Sequence, residues 1–90
     1  MEIEFDPAKD ERNRRDRGIP LILAVQVLAN LVIEFQDNRR DYGEQRMIAF
    51  GLIGPRLHCL VYTTRGATLR PISLRKANRK EIDQWHPSPP

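Results

Sequence analysis

Twelve of the fifteen cationic side chains in this 90-residue sequence are arginines. A planar guanidinium pairs with a phosphate through two parallel hydrogen bonds, which a lysine cannot do. The arginines sit in an uneven background of charge. Residues 1–45 hold seven Lys or Arg against ten Asp or Glu, and residues 46–90 hold eight against two. That asymmetry predicts a basic face built by the second half, with Arg46, Arg65, Arg70 and Arg75 as its anion-binding candidates. Composition leaves two readings open, nucleic-acid binding and a plain solvated surface. Proton carriers are scarce. His58 alternates with Leu57 and Cys59 in an apolar run and so faces away from both, while His86 stands just before Pro87. A structural or exposed role suits each. Cys59 is the single cysteine. It can form no internal disulfide, and zinc-type spacing of Cys and His is missing. It reads as a small buried hydrophobe, and neither a metal nor a cofactor is expected.

Ninety residues make one domain with a modest core, so a bound partner or a homodimer is an expectation. An apolar fraction of 40% and a charged fraction of 30% describe a soluble globular chain. The longest apolar run, residues 19–25, includes Pro20 and is too short to cross a bilayer. The opening Met-Glu-Ile-Glu-Phe-Asp lacks the basic and apolar regions of a signal peptide. No membrane association is expected, and a cytoplasmic location follows.

The elements that must position the arginines can be read along the chain. Glu2 to Phe5 alternates as a short strand. Asp6-Pro7 opens a helix, with Asp6 at the N-cap and Pro7 at the first helical position. That helix is polar to Arg17, supported by pairs such as Asp10–Arg14 and Glu11–Arg15, and Gly18 caps it. A second helix starts at Pro20 and runs to about Leu28, with Leu21, Ala24, Val25 and Leu28 on its inner face. Leu31 to Phe35 reads as a strand, and Gln36 to Gln45 as an exposed loop. Three strands follow, over 46–53, 57–64 and 68–74, joined at Gly54-Pro55 and at a hairpin turn at Arg65-Gly66. Pro71 removes a ladder donor, which puts it at an edge or a bulge. Asn78 and Glu81 form a capping box that starts a last helix, from which Ile82 and Trp85 pack inward. The order β-α-α-β-β-β-β-α describes an α+β domain over residues 1–86, helices on one face of an antiparallel meander. Residues 87–90 form a disordered, proline-rich tail.

These residues together resemble the BrnT toxin family. The opening Glu4-Phe5-Asp6-Pro7-Ala8-Lys9 with Asn13 and Gly18 is similar to the family's first signature. Glu44-Gln45-Arg46 followed by Gly51 is similar to its Glu-x-Arg segment. The clearest likeness is Val61-Tyr62-Thr63-Thr64-Arg65-Gly66, then Arg70-Pro71-Ile72-Ser73-Leu74-Arg75-Lys76-Ala77, with Glu81 and Trp85 after it. Two positions depart from the pattern. Relatives usually carry Lys-His where this chain has Asp16-Arg17, and Pro71 replaces a β-branched residue.

The resemblance implies a fold like the RelE-type ribonucleases and metal-free cleavage of RNA that inhibits translation. It also implies neutralisation by a BrnA-type antitoxin with a ribbon-helix-helix domain, so that DNA is met only through that partner. Such cleavage requires a 2′-hydroxyl to lose a proton, a phosphorane to be stabilised and a 5′-oxygen to gain a proton. Arginines suit the second task. Under this reading Lys9, Arg46, Arg65, Arg70, Arg75 and Glu81 are the catalytic candidates, at least two of the arginines converging on the scissile phosphate. Arg17, Tyr62 and Lys76 are candidates for RNA contact. For proton transfer Lys9, Glu44, Tyr62 and Glu81 stand beside the histidines. The alternative is a degenerate member that binds its antitoxin as a co-repressor without cleaving, which the Asp16-Arg17 departure favours. A nucleic-acid-binding module without catalysis is a third, weaker reading.

Overall fold

The computed structural model describes residues 2–88. Their order is β1 (Glu2–Ile3), α1 (Pro7–Arg17), a 3-10 turn (Leu21–Leu23), α2 (Ala24–Ala29), β2 (Leu31–Gln36), β3 (Met47–Ile53), β4 (Arg56–Arg65), β5 (Thr68–Lys76) and α3 (Arg79–Trp85). This is the expected α+β order. Pro87 and Ser88 are exposed and irregular, and the rest of the proposed tail lies outside the described residues.

The local signals act as the chemistry requires. The Asp6 carboxylate accepts from the amide of Ala8 at 2.8 Å, and Asp10 pairs with Arg14 at 3.0 Å. The expected Glu11–Arg15 pair gives way to a looser Arg15–Asp16 contact. The capping box at Asn78 and Glu81 is closed in both directions.

The sheet order is β1-β5-β4-β3-β2. Strands β2 to β5 form the antiparallel meander, but β1 adds a parallel edge through Glu2↔Thr68 and Ile3↔Leu69, so the sheet is mixed. Pro71 lies at a bulge: Val61 pairs with Ser73 and Tyr62 with Pro71, leaving Ile72 over. The missing proline donor falls where the ladder is already broken.

The helices do not share one face as the sequence suggested. Leu60, Tyr62, Ala49 and Leu74 face α1, the 3-10 turn and α2 in one cluster. Phe50, Leu57, Cys59 and Ala77 form a second cluster on the opposite face, with Ile82 and Trp85 of α3. α3 therefore serves the other side of the sheet. The inner face of the second helix also differs. Leu21, Ala24 and Val27 are buried, whereas Val25 is half exposed. The 3-10 start advances three residues per turn rather than 3.6 and shifts the phase of the stripe.

Asn13 fixes how α1 meets the sheet. Because β1 pairs only with Thr68 and Leu69, the rest of the β5 edge is open on that side. The Asn13 side-chain amide donates to the Leu74 carbonyl at 2.8 Å and accepts from the Leu74 amide at 3.1 Å. It also donates to the Ile19 carbonyl at 2.8 Å. A buried side chain thus stands in for a neighbouring strand. Asn13→Ala leaves three backbone groups unpaired, and a cost of about 2–4 kcal/mol is expected. Urea unfolding of the variant checks this; a midpoint equal to the parent's would refute it.

Candidate active site

The sheet face opposite α1 and α2 carries a cavity of about 460 Å³. Its floor is Ile48, Phe50, Cys59 and Val61, from alternate positions of β3 and β4. Phe35 of β2 and Trp85 of α3 form one wall. With Phe50 they make an aromatic triad whose ring centroids are 6.0–6.3 Å apart. Ser73, Gln84 and Glu81 supply polar groups. Three guanidinium-bearing residues, Arg17, Arg39 and Arg75, line it from three different elements.

Each arginine is held differently. Arg75 lies in β5 opposite Cys59 and donates to both Glu81 oxygens, at 2.7 and 2.8 Å. Glu81 is at the third position of α3, where it also accepts from the Asn78 amide at 2.9 Å. The bond from Arg75 holds the Glu81 carboxyl below the ordinary carboxylate range, and the same bond raises the Arg75 guanidinium. Both are charged at neutral pH. Arg39 sits in the loop after β2 and donates to Asp37 at 2.8 and 2.7 Å. Asp37 is buried while Arg39 is mostly exposed. The hydrogen bonds from Arg39 push the Asp37 carboxyl well below the usual range. The Arg39 backbone amide and the Tyr42 hydroxyl add two more bonds to it, at 3.2 and 3.0 Å. Arg17, at the end of α1, takes part in none of the ion pairs seen among the described residues. Cys59 is buried on the floor, and burial raises its thiol, so it is not a thiolate nucleophile at neutral pH.

The Arg75–Glu81 pair carries a pH signature. A carboxyl depressed in the folded state adds stability that is complete above the ordinary glutamate value and disappears as pH falls through the lower folded value. Glu81→Gln should therefore cost about 1–2 kcal/mol at pH 7. The gap to the parent should narrow below about pH 4. Urea titrations at pH 7 and pH 3 measure it; a constant gap would show that the pair adds no pH-dependent stability.

The other sequence candidates fall elsewhere. Lys9, Arg65 and Arg70 share a second, smaller cavity of about 150 Å³ with Asp6, Glu44 and Thr63. Arg70 lies 3.7 Å from Glu4. Arg46 lines neither cavity: it stacks on Tyr42 at 4.2 Å and pairs with Glu44 at 3.3 Å. The four candidate arginines of the second half are thus divided, Arg75 in one cavity, Arg65 and Arg70 in another, and Arg46 outside both. Tyr62 faces the helices, buried, and its hydroxyl donates to Glu34 at 2.6 Å. It therefore cannot stack on a base in the large cavity. Lys76 is exposed at the end of β5 and lines neither cavity. His58 is buried, with Nδ1 2.9 Å from the Arg56 carbonyl, and His86 is the exposed C-cap of α3.

Sequence reasoning missed Arg39, Phe35 and Phe50. Arg39 lies in a segment read only as an exposed polar loop, and a bond between positions two apart leaves no periodic trace. No helix among the described residues is long and apolar enough to cross a membrane. In a comparison with curated proteins, no match is found. The family model described as "Ribonuclease toxin, BrnT, of type II toxin-antitoxin system" matches residues 5–81, and the chain therefore belongs to the BrnT family of type II ribonuclease toxins.

Proposed function

We propose that this chain is a metal-independent endoribonuclease that acts in the cytoplasm, inhibits translation, and cuts RNA in the cavity lined by Arg17, Arg39 and Arg75. The observation that carries the reading is three guanidinium-bearing residues around a cavity walled by the aromatic triad of Phe35, Phe50 and Trp85. Aromatic faces accept a nucleobase by stacking. The arginines answer the negative charge that grows on the non-bridging oxygens of a phosphorane. Arg75 is the phosphate-stabilising group, because its donors are fixed in direction by Glu81. Glu81 stays ionised and accepts the 2′-hydroxyl proton when phosphate competes for Arg75. Lys9, Arg65 and Arg70 bind RNA away from the reacting bond, and Arg46 holds the loop through Tyr42.

The partner is a BrnA-type antitoxin with a ribbon-helix-helix domain, which reaches DNA on behalf of both proteins. An acidic or apolar antitoxin segment covers the arginine-rich cavity, with salt-dependent association. The test is purified chain with single-stranded RNA in excess chelator, with and without the antitoxin. Cleavage that the antitoxin stops is the expected result; intact RNA under all conditions defeats the proposal. A second reading, an antitoxin-binding co-repressor that does not cleave, is favoured by one observation. Arg39 and Arg75 are each already paired with a carboxylate, and neither histidine lines the cavity. Under it, expression leaves bacterial growth normal while the antitoxin still binds tightly.

A further inference from the structure

A third opening, about 240 Å³, lies between α1 and the bulged part of β5. It shares Arg17 and Ser73 with the large cavity, and Lys9 and Ile72 with the small one. The three openings are therefore continuous in their walls. α1 and β5 run side by side in the same direction: Lys9 stands beside Ile72 at one end, and Arg17 beside Ser73 at the other. From Lys9 to Arg17 the helix rises about 12 Å. From Arg70 to Arg75 the strand extends about 16 Å. At a rise of about 3.4 Å per stacked nucleotide, that is room for roughly five nucleotides.

Charge follows the same path. Arg75 and Arg39 stand at one end, Arg17 and Arg12 in the middle, and Lys9, Arg70 and Arg65 at the other end. Lys9, Arg12, Arg17 and Arg65 take part in none of the ion pairs seen among the described residues. Four carboxylates also line the path: Glu81, Asp16, Asp6 and Glu44. Glu81 and Glu44 are engaged with Arg75 and Arg46, and Asp6 caps α1. Asp16, exposed in the middle section and touching only Arg15, is the one anion in direct competition with a bound polyanion.

We infer that these openings form one groove that binds single-stranded RNA of about five nucleotides, running from the reaction cavity along the α1–β5 seam to the β4–β5 hairpin. The inference rests on the proposed ribonuclease reading and adds a binding track to it. A line of uncommitted cations fits a polymer whose charge repeats along its length, and single strands are bound by grooves of this type. An acidic antitoxin segment is the competing occupant.

Uncleavable 2′-O-methyl RNA of three and of eight nucleotides serves as the probe, with binding measured as a function of salt. The octamer should bind the parent more tightly than the trimer. In the double variant Lys9→Ala, Arg65→Ala the octamer should weaken about 25-fold at 0.1 M salt, with the logarithmic salt slope flattened by about 1.4. The trimer should change far less. Asp16→Lys should tighten octamer binding about fivefold or more, a gain that misfolding cannot imitate. Equal affinity of octamer and trimer for the parent overturns the groove. So does a double variant that keeps the length advantage, or an Asp16→Lys chain with no gain. A double variant that loses antitoxin binding but keeps octamer binding hands the groove to the antitoxin. Parent chain that neither cuts nor binds RNA defeats the ribonuclease reading as well, which separates that failure from the groove's own.

Discussion

Replacing Arg75 with alanine is expected to slow RNA cleavage about 10²–10³-fold, the range seen when one preorganised donor to a transition-state anion is removed. Three observations set Arg75 apart from the other arginines. Its guanidinium is clamped by both oxygens of Glu81, which is itself fixed at the start of α3 by the Asn78 capping box. It rises from the cavity side of β5 near that strand's end, opposite Cys59 on the cavity floor. It is about one-third exposed, so a phosphate can reach it. Glu81 and the Lys76 carbonyl take three of the five N–H donors and hold the plane of the guanidinium, so the other two are placed before substrate arrives. Arg75→Lys should recover only part of the rate, because an ammonium keeps the charge but cannot present two parallel donors. Glu81→Gln breaks the same ion pair and leaves the guanidinium in place, but it also removes the proposed base, so its urea midpoint rather than its cleavage rate is the control for stability. Single-turnover cleavage of the three variants, each checked for folding, gives the comparison. An Arg75→Ala chain that cuts RNA at the parent rate removes this residue from the mechanism and moves the reaction toward the Lys9–Arg65–Arg70 end.

What could be read from the sequence depended on the range of each signal. Asp6, Gly18, Pro71 and Asn78 act on their immediate neighbours, so their roles were visible in the residue types alone. The meander was visible because strand alternation and turn residues are also local. The assembly of the cavity was not. Arg17 reaches it because α1 lies on the open edge of β5, and that placement depends on Asn13 bonding Leu74, 61 residues away. The aromatic wall joins Phe35 to Trp85 across fifty positions. It exists because α3 crosses to the sheet face that the other helices leave free. The charge asymmetry between the halves predicted a basic second half, yet Arg17 and Arg39, which line the cavity, come from the acidic first half. Net charge over a stretch of sequence does not say which charges are already neutralised. Asp37 and Glu81 each cancel an arginine, while Arg17 is left without a partner among the described residues.

The largest loss of stability is expected from the smallest substitution, Gly51→Ala. Gly51 sits in β3 beneath α2, and its backbone needs no positive φ. The constraint is space. A methyl group there would run into the Val27 carbonyl oxygen, with the Val27 carbonyl carbon at 2.9 Å and the Asn30 oxygen at 3.0 Å. All three are backbone atoms, so no rotamer change relieves the contact. The helix cannot easily lift either. Asn30, at its C-terminal end, accepts from the Leu52 amide at 3.1 Å and donates its side-chain amide to the Leu52 carbonyl at 3.2 Å. Val27 and Ala24 are fully buried beside it. Moving α2 outward would open that packing and stretch the Asn30 clamp together, at a cost of about 3 kcal/mol or more. A domain of this size has only about 5–13 kcal/mol in total. Gly18→Ala makes the informative contrast. Gly18 has φ of 71° but nothing within 4 Å of an added methyl, so only backbone strain of about 1–2 kcal/mol is expected. Urea midpoints and soluble yield of the two variants distinguish crowding from strain. If Gly51→Ala proved no less stable than Gly18→Ala, the close approach of α2 to β3 would not be what holds this helix against the sheet.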